Sequence, residues 1–105
     1  MLNLSESNFR ENVLEKPGYA VIDFWAAWCG PCIAMGPIFE KVSKDFPEIT
    51  FAKCNVTENE VFSGDYAISA LPTTIVFRDG KPVKRIVGLM SESKMRETFS
   101  ALQQG

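Results

Sequence analysis

Cys29 and Cys32 stand at i and i+3 in the stretch Trp28-Cys29-Gly30-Pro31-Cys32. Two thiols at that spacing can pass reversibly between dithiol and disulfide, a two-electron exchange. On a helix, side chains three apart have Cβ atoms about 5–6 Å from one another, whereas a disulfide needs roughly 3.5–4.5 Å. At a helix start the first residue is only half helical, and a small adjustment closes the gap. The surroundings supply that start. Tyr19 to Trp25 is a nearly unbroken apolar run, the pattern of a strand buried on both faces. Cys32 to Phe46 reads as a helix. With Cys29 as N-cap, its sulfur can accept the Cys32 backbone N–H, and the helix dipole favours a thiolate there. Gly30 lets backbone and partner approach closely, and Pro31 falls in the first turn, where its missing N–H costs little.

Asp23 is anomalous within that run, because an unpaired buried carboxylate is expensive. Desolvation should raise its pKa toward neutrality, where a general base for the Cys32 proton is most useful. The competing reading is a structural ion pair with Lys53. Cys54, in Phe51-Ala52-Lys53-Cys54-Asn55-Val56, reads as a small buried apolar thiol. The chain has no histidine, which removes Cys–His and Ser–His nucleophilic mechanisms. With Cys29, Cys32 and Cys54 as its only cysteines, it also lacks ligands for a closed zinc site, so no metal is expected. No Gly-rich dinucleotide motif is present, and the expected redox group is the Cys29–Cys32 pair itself, with no further cofactor.

The elements that must position these groups follow from pattern. Leu2-Asn3-Leu4 suits a short edge strand. Ser5 or Ser7 can cap a helix to Leu14, with Phe9, Val13 and Leu14 on one face. In the helix after the cysteines, Ile38, Phe39, Val42 and Phe46 form one stripe, with Pro37 inside as a kink and Pro47 at the end. Residues 49–56 have strand composition. Thr57-Glu58-Asn59-Glu60 is a capping-box pattern for a short helix reaching Tyr66. Thr74–Arg78, the Asp79-Gly80 turn and Val83–Val87 predict a hairpin. Ser91 can cap a last helix to Leu102, with Met95, Phe99 and Leu102 inward. The fold class is α/β, a mixed central sheet with helices on both faces.

At 105 residues and 46 % hydrophobic composition, one domain spanning 1–105 with one core is expected. The net charge of −2 and the lack of a Lys/Arg cluster argue against nucleic acid or an anionic membrane as partner. The opening residues have neither a basic start nor a long apolar run, so a cytoplasmic protein without signal or anchor is the expectation.

Taken together, these residues resemble the thioredoxin family over essentially the whole chain. The resemblance rests on Asp23, Trp25, Trp28-Cys29-Gly30-Pro31-Cys32, Pro37, Lys53, Leu71-Pro72-Thr73 and Gly88. It implies a thioredoxin fold with four helices around the sheet, and a general protein-disulfide reductase. In that reading Cys29 attacks a substrate disulfide, Cys32 resolves the mixed disulfide, and Asp23, tuned by Lys53, lies beneath Cys32. It implies a cis Leu71–Pro72 bond beside the dithiol. Exposed backbone at Ala70 and Leu71 would pair with an extended substrate. Trp28, Leu71, Pro72, Val87 and Gly88 would form an apolar platform around Cys29. The implied partners are disulfide-containing proteins and a thioredoxin reductase, either an NADPH flavoprotein or a ferredoxin-dependent enzyme, and the chain would act as a monomer. Two positions depart from the family pattern. Ile33 stands where many members carry Lys or Arg, and Ala70 where relatives often have Gly. An oxidase or isomerase of the same fold, and a non-catalytic docking partner, are the alternative readings.

Overall fold

A computed structural model describes residues 1–104. Five strands form one sheet in the order β1-β3-β2-β4-β5: β1 Leu2–Asn3, β2 Tyr19–Trp25, β3 Thr50–Asn55, β4 Thr73–Arg78 and β5 Lys81–Val87. β1, β3 and β2 run parallel, while β4 and β5 are antiparallel to their neighbours. A π-helical segment, Arg10–Leu14, and three α-helices, α1 Gly30–Ser43, α2 Val61–Asp65 and α3 Glu92–Gln104, complete the described residues. The sheet is mixed, as the pattern predicts.

Alternation along the strands divides the core. Ile22, Phe24, Cys54, Ile75 and Phe77 face the layer made by Phe9, Val13 and Phe62. Val21, Phe51 and Val76 face Met35, Phe39 and Val42 of α1 and Met95 and Phe99 of α3. β2 lies between these layers, which is why it reads as continuously apolar. On the outer side, Arg96 binds Asp45 at 2.7 Å and Glu92 at 3.0 Å, and Lys41 reaches Glu92 at 3.3 Å. These pairs pin the far end of α1 to α3. β5 is almost wholly exposed and carries Lys81, Pro82, Lys84 and Arg85, residues that blunt a sheet edge against further pairing.

Four local expectations are corrected. The first helix starts later than Ser5 and closes an i to i+5 bond, with Glu15 N–H donating to Arg10 O at 2.8 Å. Leu14, one position off the Phe9–Val13 stripe, is exposed rather than inward. The capping box at Thr57 does not form, because Asn55 outcompetes it: Oδ1 of Asn55 accepts both the Thr57 N–H (3.0 Å) and the Thr57 hydroxyl (2.6 Å). The short helix therefore begins at Val61 with no side-chain cap. Finally, α1 ends at Ser43. Residues 44–46 tighten into i to i+3 bonds ahead of Pro47, which disfavours helical backbone in the residue before it.

The turn signals hold. Asp79 and Gly80 both have positive φ, +52° and +83°, the geometry of a two-residue hairpin turn. Ser91 caps α3, its hydroxyl accepting the Lys94 N–H at 3.1 Å.

Candidate active site

β2 ends at Trp25, and four residues later the chain enters α1. Cys29 is the N-cap, with extended backbone (φ −94°, ψ 108°), and its Sγ accepts the Cys32 N–H at 3.2 Å. One orphan donor of the helix start is thus aimed at the sulfur, as the spacing predicts. The pair is disulfide-bonded, with Cα atoms 5.3 Å apart, inside the normal range for such a bridge. Cys29 keeps 6 % of its surface and Cys32 only 1 %, so the outer sulfur is the one a partner reaches first. Trp28, 74 % exposed, and Ile33, 54 % exposed, flank the pair.

A groove of about 400 Å³ opens beside Cys29, lined by Trp28, Val56, Ser63, Ile68, Ala70 and Leu71 among others. Its far wall is the turn before β4. The Leu71–Pro72 bond is cis, and the Thr73 hydroxyl donates to Ala70 O at 2.6 Å, holding the turn from within. Arg85 steadies the preceding segment, its guanidinium donating to the carbonyls of Tyr66 and Ala67.

The expected platform is only partly assembled. Trp28, Ala70 and Leu71 share the groove with Cys29. Pro72 is buried, and its carbonyl accepts the Gly88 N–H at 2.8 Å. Val87 is exposed but pairs with Thr73 on the β5 edge, so Val87 and Gly88 back the turn instead of lining the groove. Val56, Ser63 and Ile68 are wall residues that sequence reasoning missed. They come from a strand end, a short helix and an irregular loop, and no period connects them.

Asp23 is fully buried, and neither carboxylate oxygen has a hydrogen-bond partner among the described residues. Burial pushes its pKa up from 3.8 to about 6, against a smaller downward pull from the Lys53 charge. Lys53 is the register partner of Asp23 on β3. Its ammonium lies 4.5 Å from the centre of the Trp25 ring, and no ion pair with Asp23 closes within 4.0 Å among the described residues. The structural ion pair is thereby replaced by a cation–π contact and a longer-range charge. A Cβ on Gly36 would stand 3.0 Å from that ammonium, so the glycine lets α1 pack close over the Asp23–Lys53 pair. Gly36 is one turn beyond Cys32 on the same helix face.

Cys54 is fully buried, and desolvation pushes its thiol up to about 12. Among the described residues, no cluster of side chains suits a metal ion, and no helix is long and apolar enough to cross a membrane.

This arrangement has known counterparts. The family model "Thioredoxin" matches residues 1–101. The chain is 38 % identical over 90 residues to thioredoxin 2 of Chlorobaculum tepidum, covering 85 % of this chain and 83 % of that one. It is 35 % identical over 100 residues to a thioredoxin of Staphylococcus haemolyticus, with 94 % of each covered. It is 34 % identical over 105 residues to a thioredoxin of Alicyclobacillus acidocaldarius, with 98 % of each covered. A cysteine pair at a helix N-cap, on this sheet and with these relatives, defines a dithiol–disulfide oxidoreductase. The chain belongs to the thioredoxin family. It is a protein-disulfide reductase whose redox couple is Cys29–Cys32, and its partners are disulfide-containing proteins and a thioredoxin reductase.

Proposed function

We propose that the residues around the pair divide the reduction as follows. The Cys29 thiolate attacks one sulfur of a target disulfide, forming a mixed disulfide and releasing the other target sulfur as a thiolate. Cys32 then gives its proton to Asp23 and attacks Cys29 Sγ. The Cys29–Cys32 disulfide forms, and the second target sulfur leaves. The target gains two electrons and the dithiol loses them. The observation that carries the order of attack is the N-cap geometry at Cys29 together with its position on the groove. Asp23 fits the role of base because a pKa near 6 leaves it mostly ionised at neutral pH yet able to hold a proton. Lys53 tempers the desolvation of Asp23. Gly30 and Pro31 keep the helix start compact. The Pro72 turn presents Ala70 and Leu71 to an extended target segment, with Trp28 as apolar wall.

The dithiol is the whole redox equipment, with no added cofactor or metal. A reducing dithiol requires a reducing compartment, which favours the cytoplasm. The charged, proline-bearing β5 edge favours a monomer. The exposed Ile33 gives the contact surface an apolar character, and the electron donor is a thioredoxin reductase, either an NADPH flavoprotein or a ferredoxin-dependent enzyme.

The test is the pH dependence of the resolving step in single turnover. In the wild-type protein the rate should fall as pH drops through about 6, as Asp23 takes up its proton. Asp23→Asn should lower the rate at pH 7 by about a hundredfold and erase that inflection. A variant with wild-type rate and profile would remove Asp23 from the reaction.

A further inference from the structure

A second buried polar group in the Asp23 layer has no role in the reaction described above. Thr74 sits directly opposite Asp23 in the β2–β4 register. It is 0 % exposed, and its hydroxyl has no partner among the described residues. Thr73, its neighbour in sequence, faces the other way and spends its hydroxyl on Ala70 O. The register also places Lys53 on one side of Asp23 and Ile86 on the far side of Thr74, so Lys53, Asp23, Thr74 and Ile86 form one row across the sheet.

Directly opposed residues in a sheet have Cβ atoms about 4.5–5.5 Å apart on the same face. One rotation of the Thr74 side chain, or one shared water, brings a hydroxyl at that separation to a carboxylate. Two buried acceptor oxygens and one buried donor, all otherwise unpaired, have each other as their nearest way of meeting the cost of burial. A hydroxyl donates more strongly to an ionised carboxylate than it interacts with a neutral acid. We propose that Thr74 is a positioning residue for the resolving step: its hydroxyl donates to the Asp23 carboxylate and steadies the ionised form that accepts the Cys32 proton.

The inference rests on the reading of Asp23 as the base. The other charged or titratable groups facing this layer are few. β3 supplies Lys53, β5 supplies Lys84, on the same face as Ile86 but exposed at the edge, and the proposed reaction brings the Cys32 proton to Asp23 from α1. α3 adds no charge, since its buried side chains are Met95, Thr98 and Phe99, while Glu92 and Arg96 are engaged at the surface.

The test follows the Asp23 carboxyl by carbon NMR in the oxidised protein, with Asp23→Asn used to assign the signal. Thr74→Val should raise the Asp23 midpoint by about one pH unit, and Thr74→Ser should return it to within a few tenths. The resolving-step profile should move by the same amount. Thr74→Ala, a second hydroxyl-free variant, serves in place of Val should the latter not fold. A merely structural threonine would change unfolding free energy while leaving the midpoint in place, and a stationary midpoint overturns the inference. A resolving-step profile that Asp23→Asn leaves unchanged overturns the Asp23 reading instead, and with it the kinetic half of the inference.

Discussion

Cys29 and Cys54 lie in the same apolar cluster, yet they are set up for opposite chemistry. Cys54 sits within β3, one residue before its end and opposite Phe24 of β2, and desolvation alone acts on its thiol, holding it protonated up to about 12. Cys29 is nearly as hidden, at 6 % exposure, but it stands where a strand has ended and a helix has not quite begun. There a backbone N–H points at the sulfur, and the dipole of a fourteen-residue helix lies behind it. Burial therefore does not decide reactivity in this molecule. The backbone groups aimed at the sulfur decide it, together with the partner thiol one helical turn away.

The sharpest way to break that comparison is to remove the sulfurs one at a time. Cys29→Ser should lower insulin reduction by dithiothreitol-driven turnover more than about a thousandfold. Cys32→Ser should still attack and should accumulate mixed disulfides detectable on a non-reducing gel. Trapping by the Cys29 variant instead would reverse the assignment of attacking and resolving thiols.

A smaller effect probes the charge beneath the pair. Because Asp23 binds its proton more tightly folded than unfolded, its contribution to stability is full below the unfolded pKa near 3.8 and is lost as pH rises through about 6. The oxidised wild type should thus lose about 2 kcal/mol relative to Asp23→Asn between pH 4 and pH 8, since raising a pKa by one is worth about 1.4 kcal/mol. Urea unfolding of both proteins at the two pH values measures the difference, and parallel pH curves would contradict the raised Asp23 pKa.

The smallest effect belongs to Cys54. Cys54→Ala should leave turnover within about twofold of wild type, since Cys54 lies outside the groove and takes no part in the exchange. In the folded, oxidised protein its alkylation should be slow at pH 8 and become rapid in denaturant. Fast labelling of the native protein would place Cys54 outside the buried core.

Much of this comparison was legible from residue order. A continuous apolar run and the i, i+3 cysteine spacing mark β2, the helix start and the roles available to Cys29 and Cys32. An aspartate inside an apolar run marks itself. The failures share one cause: a local signal lost to a neighbour that pattern does not weigh. Asn55 captured Thr57, so a well-formed capping box came to nothing. Leu14 missed the inward stripe because it lies one position past Val13, where the side chain turns to solvent. Lys53 took the Trp25 ring in preference to the carboxylate beside it. The groove residues Ser63 and Ile68 and the pairing of Thr74 with Asp23 depend on which strands become neighbours, and that is a property of the assembled sheet.

The Asp79–Gly80 turn lies at the end of the sheet away from the cysteines. Gly18 N–H donates to the Asp79 carboxylate at 2.8 Å, and Asp79 N–H donates back to Gly18 O at 2.9 Å. A side chain on Gly80 would strike the Leu14 carbonyl. An exposed hairpin tip is ordinarily where a chain accepts foreign sequence. Here the tip is a joint that fastens the hairpin to the start of the central strand. Anyone grafting a peptide or a label onto this scaffold would loosen the central strand by opening that tip.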